Sequence, residues 1–327
     1  MKFSDIYGQE NIIRRFQVAL ESDRVPHAII INGEKGSGKK MLAKTFAAAL
    51  ECEKGGPAPC MECKNCKQAF SNNHPDIIWL THEKAAAGVD EIREQVVNDI
   101  VIKPYSGKYK IYIIPDAQDL NNFAQNAILK TIEEPPEYAI IILLTTNMGS
   151  LLSTIISRCV EFAVKPVNED VIEKHLIQNG ISPDEAKVAA SFACGNVGKA
   201  MLFASDEHFK EMLKLVTETL ISVRGFDALT IEGYAKKAAE YKAEIDSYFD
   251  MVTVWYRDVL VYKATQNMEN AVFFHEKSAI ATQAASISYK GLDDILTAVT
   301  SARSRIRYNI SVENAVEMML LMIRKVK

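Results

Sequence analysis

A glycine-rich loop is the first stretch of this sequence whose residue types could do chemistry. Residues 33–40, Gly-Glu-Lys-Gly-Ser-Gly-Lys-Lys, follow the apolar run 28–31 and precede a stretch with helical character, 41–50. Glycines let backbone N–H groups turn toward an anion, while a helix N-terminus and a lysine add positive charge. This context predicts a phosphate-binding P-loop. The predicted nucleotide-binding residues in it are Gly33, Gly36, Gly38 and Lys39.

One position of this loop departs from the pattern of a hydrolytic P-loop. The residue after Lys39 should be Ser or Thr, whose hydroxyl holds Mg²⁺, and it is Lys40 here. A second ammonium group would partly replace the charge of the metal, but it could not orient an attacking water. The loop therefore allows ATP or ADP to bind and does not predict that ATP is hydrolysed.

A cysteine cluster is the second chemically suggestive stretch. Four of the six cysteines lie within residues 52–66, at Cys52, Cys60, Cys63 and Cys66. In a cytosolic chain this clustering indicates metal ligands rather than disulfides. Four thiolates suit tetrahedral Zn²⁺ and leave no open position, which predicts a structural site. An iron–sulfur cluster and free surface thiols are the alternatives. Cys159 and Cys194 lie apart from the cluster and are interpreted as core residues.

Composition and charge indicate a soluble globular chain with more than one domain. The chain has 327 residues, of which 48% are apolar and 24% charged, with a net charge of −4. No apolar run approaches the ~18–20 residues of a membrane span, and residues 1–5 lack the apolar region of a signal peptide. A cytoplasmic protein is expected. The mild negative charge argues against a nucleic-acid binder that relies on a basic surface by itself.

Apolar runs predict the sheet that must position the loop. Strands are expected at 28–31, 77–80, 111–114, 139–144 and 160–164, with helices at 89–102 and 121–132. Runs that are apolar on both faces, separated by helical stretches, are typical of a parallel sheet covered on both sides. Ligands bind at the carboxyl ends of such strands. The P-loop, Pro115-Asp116 and Asn147 should therefore meet at one edge of the sheet.

The strand pattern disappears from Lys165 onward. Residues 166–168 look like a linker, 169–205 a small helical unit, and the rest of the chain is helical. The clearest helix is predicted at 243–262, where apolar residues form one broad stripe. The last helix is predicted to begin after Ser311, a favourable N-cap. The sequence therefore predicts an α/β domain followed by all-α domains.

Two further segments resemble a known family. Residues 126–136, Asn-Ala-Ile-Leu-Lys-Thr-Ile-Glu-Glu-Pro-Pro, and 157–159, Ser-Arg-Cys, look like the bacterial clamp loaders of the AAA+ class. Phe3, Gly8-Gln9, His27-Ala28, the cysteine cluster and residues 307–313 agree with that resemblance, which covers nearly the whole chain. It implies a RecA-like AAA+ domain at 1–165 with a zinc module at 52–66. A helical lid at 166–205 and a C-terminal helical collar for oligomerisation at 206–327 would follow.

The resemblance also implies that this chain does not hydrolyse ATP. The family pattern has an Asp-Glu pair after the third strand, whereas this chain has Pro115-Asp116 or, shifted by one, Asp116-Ala117. One carboxylate is missing in either register. Gly198 stands where active members carry a sensor arginine, although Lys199 lies beside it. Together with Lys40, these departures imply a subunit without intrinsic ATPase activity.

Two residues carry roles that only the resemblance implies. Arg158 would be an arginine finger that reaches the ATP of a neighbouring subunit, where a guanidinium group can be worth ~10³ or more in rate. Without the resemblance it would be interpreted as a surface arginine. Asn147 falls at the position of the family's nucleotide-touching sensor, and a polar strand cap is an equal alternative.

The function implied by the resemblance is that of a subunit in the clamp loader of DNA polymerase III. Its expected partners are the tau/gamma and delta subunits and, through the complex, the sliding clamp and primer–template DNA. No membrane is expected. Chain length and degenerate motifs favour a non-hydrolysing subunit. The alternatives are an active ATPase of the tau/gamma type and a zinc-bearing AAA+ adaptor outside replication.

Overall fold

The computed structural model describes residues 2–80, 89–268, 271–308 and 310–326. The chain divides into two compact units, Met1–Ile172 with Cys194–Lys199, and Glu173–Ala193 with Ala200–Lys327. The three-domain division at 165/166 and 205/206 stays a prediction. None of the helices in the described ranges is both long and apolar enough to span a bilayer.

A five-stranded parallel sheet forms the centre of the first unit. Its strands are β1 (Ala28–Asn32), β2 (Ile77–Trp79), β3 (Lys110–Ile114), β4 (Ala139–Thr145) and β5 (Val160–Ala163). They lie in the order β2-β3-β4-β1-β5, and Ile30 of β1 is in register with Leu143 on one side and Glu161 on the other. β-Branched runs favour strands that are buried on both faces. The predicted parallel sheet is confirmed.

Helices cover both faces of this sheet. They are α1 (Glu10–Glu21), α2 (Lys39–Leu50), α3 (Lys64–Phe70), α4 (Val89–Ile92), α5 (Asn122–Glu133) and α6 (Ser153–Ile156). On one face Phe16 of α1 stacks on Phe46 of α2 with ring centroids 4.1 Å apart. On the other face Ile128 of α5 packs into a core that includes Tyr112. The unit is thus the three-layered α/β arrangement expected of a parallel sheet.

The predicted helix over 89–102 is shorter in the structure. The α-helical turn α4 continues as a π-helical turn at Arg93–Val97, and regular helix ends there. The Lys110 ammonium group donates to the carbonyl oxygens of Asp99 and Ile102 at 2.9 and 3.2 Å. These carbonyls are satisfied by a side chain of β3, so no further helical turn is needed to pair them.

The second unit is helical. The remaining helices are α7 (Glu169–Gln178), α8 (Pro183–Phe192), α9 (Val197–Ser205), α10 (Glu207–Ser222), α11 (Ala228–Ala239), α12 (Ile245–Thr265), α13 (Lys277–Ser286), α14 (Tyr289–Arg307) and α15 (Val312–Lys325). The indole N–H of Trp255 donates to the Gln283 side-chain oxygen at 3.0 Å, and the Gln283 amide donates to the Leu220 carbonyl at 2.6 Å. Ser311 caps α15 as predicted. The predicted fold class, α/β followed by all-α, is confirmed.

Candidate functional site

The P-loop connects the carboxyl end of β1 to the N-terminus of α2. Gly36 and Gly38 have φ angles of +85° and +91°, a region that suits glycine, and Gly38 is the N-cap of α2. The Gly33 N–H donates to the Thr145 carbonyl at 3.1 Å, which ties the loop to the end of β4. The predicted strand–loop–helix context is therefore present.

Lys39 turns its ammonium group back onto the loop. Its Nζ donates to the carbonyl oxygens of Gly33 and Glu34 at 2.6 and 2.7 Å, and the residue is 8% exposed. Burial lowers the pKa of Lys39 below its ordinary value, while the nearby Asp116 carboxylate opposes that shift. Two of the three N–H groups of the ammonium are therefore engaged by carbonyl oxygens of the loop itself.

Lys40 lies beside the carboxylate that follows β3. Its Nζ is 3.9 Å from Oδ2 of Asp116, and the two side chains are 67% and 43% exposed. A pair this exposed contributes little to stability, but it fixes the local charge. The Lys40 ammonium group faces Asp116 at the place where hydrolytic enzymes hold Mg²⁺.

The residues just before α9 and in its first turn contact the P-loop. The side-chain amide of Asn196 donates to the Lys35 carbonyl at 2.8 Å, and the Gly198 N–H donates to the Gly36 carbonyl at 3.2 Å. A Cβ atom on Gly198 would lie only 2.4 Å from that carbonyl oxygen. Position 198, where the sequence lacks the family's sensor arginine, therefore has no room for a side chain in this conformation.

Asn147 lies after β4, at the same edge of the sheet as the P-loop and Asp116. Its Oδ1 accepts a hydrogen bond from the Gly149 N–H at 2.9 Å, so the side chain caps its own turn. The predicted meeting of the three strand ends is present in the structure. A nucleotide-sensing role for Asn147 stays a prediction.

Arg158 lies in the turn between α6 and β5. Its Nε is 2.9 Å from Oε1 of Glu133, and the side chains are 41% and 43% exposed. Its Nη1 donates to the Thr154 carbonyl at 3.1 Å and to the Ser157 hydroxyl at 3.3 Å. The guanidinium group is thus on the surface, where a second subunit could reach it, and it already has partners within its own chain.

The cysteine cluster is assembled as predicted. The sulfur atoms of Cys52, Cys60, Cys63 and Cys66 all lie within 4.8 Å of one another, and none forms a disulfide. The segment coils around Cys60, whose sulfur accepts the N–H groups of Cys63 and Glu62 at 3.3 and 3.5 Å. These N–H groups lower the pKa of the Cys60 thiol to about 6.

The donor set fits a structural metal. Tetrahedral Zn²⁺ with Zn–S bonds of about 2.3 Å holds its sulfurs roughly 3.8 Å apart, and Sγ of Cys60 and Cys66 are separated by 3.9 Å. All four ligand positions would be filled by thiolates. Such an ion could cross-link the loop between α2 and α3, but it would have no open position for a substrate.

The prediction that Cys194 is a core residue is wrong. It is exposed and has a φ of +49° in the turn after α8. Its neighbours Ala193 and Asn196 are buried, so the left-handed backbone at Cys194 turns this one side chain outward. Cys159, by contrast, is partly buried against the core on the α5 face of the sheet, and that burial raises the pKa of its thiol to about 12.

Two buried carboxylates organise a loop beside the cysteine cluster. Asp76 accepts the N–H groups of Tyr105, Ser106 and Gly107 at 2.6, 2.7 and 2.9 Å. Glu51 accepts the N–H groups of Lys108 and Tyr109 at 3.1 and 2.8 Å. Sequence reasoning missed both roles, because an acidic residue before a strand or at a helix end gives no sign of a partner over twenty residues away.

Sequence reasoning also missed Glu133 and Asn196. The motif around Glu133 allows it to pack or to contact a partner without saying which, and Asn196 lies in a glycine-containing turn. The partners of these two side chains lie 25 and about 160 residues away along the chain. No local signal could have identified them.

The fold and the loop together define a P-loop protein with the parallel sheet and helical extension of the AAA+ class. A family model described as DNA polymerase III, delta subunit, matches residues 8–168. The chain is 28% identical over 322 residues to DNA polymerase III subunit delta' of Bacillus subtilis, covering 97% of this chain and 96% of that protein. It is 39% identical over 175 residues to subunit tau/gamma of Haemophilus influenzae, covering 53% and 25%.

Among solved structures, the chain is similar to a DNA polymerase III gamma-subunit-related protein from Thermotoga maritima. That similarity has 18% identity and a TM-score of 0.40, covering 97% of this chain and 99% of the other. The family-model match and the two sequence relatives support a member of the bacterial clamp-loader family of AAA+ proteins.

Proposed function

We propose that this chain is a delta-prime subunit of a DNA polymerase III clamp loader. In that role it is part of a cytoplasmic pentameric ring with tau/gamma and delta subunits, which opens the sliding clamp and places it on primed DNA during replication. The match to the delta' subunit extends over 97% of the chain, whereas the matches to subunit tau/gamma of Haemophilus influenzae and subunit tau of Bacillus subtilis cover 53% and 83%. The helical second unit thus has a counterpart in the delta' relative.

The chain is proposed to be inactive as an ATPase, and Lys40 is the observation that carries this proposal. Its ammonium group lies 3.9 Å from Asp116, where hydrolysis would need a hydroxyl ligand for Mg²⁺. Pro115 supplies no second carboxylate after β3. We therefore expect nucleotide to bind this loop only passively, because the Asp116 carboxylate that follows β3 faces Lys40.

ATP turnover by the isolated chain tests that proposal. We expect no turnover above background for the wild type, and no change for Lys39→Ala. The competing candidate is an active ATPase of the tau/gamma type, which is favoured by the 39% identity over 175 residues. Turnover that is abolished by Lys39→Ala would establish that candidate and exclude ours.

Arg158 is proposed to act on the ATP of a neighbouring subunit. The residue is exposed and lies in the short turn between α6 and β5, which suits a guanidinium group that must reach a phosphate in trans. In the assembled complex, Arg158→Ala should lower ATPase activity while the complex still elutes as one species. Arg14→Ala, an exposed arginine of α1, serves as the control. Equal activity of the complexes containing wild type and Arg158→Ala would refute the role.

The four cysteines are proposed to hold one structural Zn²⁺. Elemental analysis of the purified chain should give about one zinc per chain, with colourless protein. Conversion of Cys63 to Ser should lower the zinc content, whereas conversion of the exposed Cys194 to Ser should not. Brown, iron-containing protein would contradict the assignment.

Assembly with the expected partners is the broadest test. The tagged chain should retain tau/gamma and delta subunits through high-salt washing, and the mixture should load a sliding clamp onto primed DNA. A zinc-bearing AAA+ adaptor outside replication would bind neither subunit. Loss of clamp loading when this chain is left out completes the comparison.

A further inference from the structure

The finger arginine is not free in this chain. The ion pair between Nε of Arg158 and Oε1 of Glu133 measures 2.9 Å. A second edge of the guanidinium group, at Nη1, is held by the Thr154 carbonyl and the Ser157 hydroxyl. A phosphate is recognised best when two N–H groups of an arginine point at it together. These contacts within the chain compete with that arrangement.

The carboxylate of Glu133 lies at an unfavourable end of its helix and is stabilised there by Arg158. Glu133 is the last residue of α5, where the partial negative charge of the helix C-terminus disfavours a carboxylate. The carboxylate is exposed, and Arg158 is the cation that pairs with it among the described residues. The ion pair with Arg158 is therefore the favourable interaction that the structure shows for this side chain.

The ion pair between Arg158 and Glu133 is weak enough to open and close reversibly. Its two side chains are 41% and 43% exposed, and exposed ion pairs shift an equilibrium by only a few-fold. A nucleotide phosphate carries more charge than one carboxylate and can accept two N–H groups of the arginine. It would displace Glu133 once a neighbour's site approached, whereas water would not.

We propose that Glu133 is a positioning residue that holds Arg158 in a parked conformation until a neighbouring subunit's nucleotide takes its place. The proposal rests on the finger role of Arg158. Only molecules in which the ion pair is open present a competent finger, and the apparent affinity of the neighbour's site for the finger is lowered in proportion to that open fraction. Removing the carboxylate charge removes that competition.

The test uses the complex assembled from this chain with tau/gamma and delta subunits. Glu133→Gln keeps the size of the side chain and removes its charge. We expect the ATPase rate of the complex at limiting ATP and low salt to rise roughly two- to five-fold, the size of an exposed ion pair. The increase should shrink at high ionic strength, where the pair is screened. Glu134→Gln, the adjacent exposed carboxylate, should leave the rate unchanged.

The same substitution in an Arg158→Ala complex distinguishes an effect on Arg158 from a general effect on the fold. In an Arg158→Ala complex, Glu133→Gln should have no effect, because there is no finger to release. An equal effect in both backgrounds would show that Glu133 acts on the fold, and would overturn the proposal. An unchanged or lowered rate for Glu133→Gln in the wild-type background would overturn it too, while leaving the finger role intact. If Arg158→Ala itself has no effect, the proposed function of Arg158 fails first.

The isolated chain offers a readout that does not depend on ATPase activity. In ¹⁵N-labelled protein, the Nε–H resonance of Arg158 should move toward its solvent-exposed value in Glu133→Gln and stay in place in Glu134→Gln. Loss of that resonance in Arg158→Lys assigns it. A resonance that is indifferent to Glu133→Gln would show that the pair does not hold the finger in solution.

Discussion

Asp76→Asn is the substitution whose cost the structure lets us work out most fully. Asp76 is 2% exposed and precedes β2. Its Oδ1 accepts the Tyr105 N–H at 2.6 Å, and its Oδ2 accepts the N–H groups of Ser106 and Gly107 at 2.7 and 2.9 Å. The carboxylate therefore uses both oxygens to hold the turn that leads into β3.

An asparagine has only one oxygen for these donors. If it takes the place of Oδ2, its amino group faces the Tyr105 N–H, donor against donor. That buried N–H then loses its partner, which costs about 1–3 kcal/mol, and the two remaining bonds lose their charge at about 1 kcal/mol each. The expected loss of unfolding free energy is about 3–5 kcal/mol. At roughly 2–4 °C per kcal/mol, the melting temperature should fall by about 6–20 °C.

Urea and thermal unfolding at pH 7, followed by far-ultraviolet circular dichroism, measure this loss. Asp119→Asn is the matched control, because Asp119 is exposed in the same unit, and it should lie within about 0.5 kcal/mol of the wild type. A loss below about 1 kcal/mol for Asp76→Asn would refute the reasoning. It would mean that the turn satisfies its N–H groups without this carboxylate.

The same substitution has a pH signature. Burial by itself would raise the pKa of Asp76, but the N–H groups of the turn outweigh it and hold the pKa below its ordinary value of 3.8. A depressed folded-state pKa adds stability above pH 3.8, and this stability is lost as the pH falls through the folded-state pKa. The part of the stability difference that comes from the Asp76 charge should shrink as the pH falls through the folded-state pKa of Asp76.

Three further predictions concern the packing and the cysteine cluster. Gly198→Ala would place a Cβ atom 2.4 Å from the Gly36 carbonyl oxygen, and it should lower the unfolding free energy by about 1–3 kcal/mol. Gly225→Ala is the control, because its Cβ atom would meet no atom within 4 Å, and it should not lower the unfolding free energy. Gln283→Leu leaves the Trp255 N–H and a carbonyl of α10 without partners and should cost about 2–5 kcal/mol in urea unfolding; a cost below 1 kcal/mol would contradict the buried network. Removing the metal with a chelator should lower the melting temperature and make the four clustered thiols reactive, and an unchanged melting curve would argue against a structural ion.

Much of the architecture follows from the sequence because its signals are local. The strands of the sheet are predicted by β-branched apolar runs, and α15 by its cap at Ser311 and its apolar period. The convergence of the P-loop, Asp116 and Asn147 follows as well, since carboxyl ends of parallel strands share an edge. The cysteine spacing predicts its own cluster, because it lies within fifteen residues of chain.

Helix length was harder to predict. The apolar spacing of residues 89–102 continues through Ile100, yet the regular helix ends at Val97. Beyond it, the ammonium group of Lys110 pairs with the carbonyls of Asp99 and Ile102 in the turn that follows the helix. A lysine in a strand gives no warning of this, because the contact exists only once β3 lies beside the end of the helix.

The sequence by itself determined the elements, the P-loop and the missing hydrolytic groups, since each depends on residues that are adjacent or periodic. Only the tertiary structure decided what these groups touch. Lys39 turns inward to its own loop, Gly198 lies against Gly36, and Arg158 is paired with Glu133. Such contacts join side chains whose separation in the chain is unrelated to their distance in space, and no pattern of residue types encodes them.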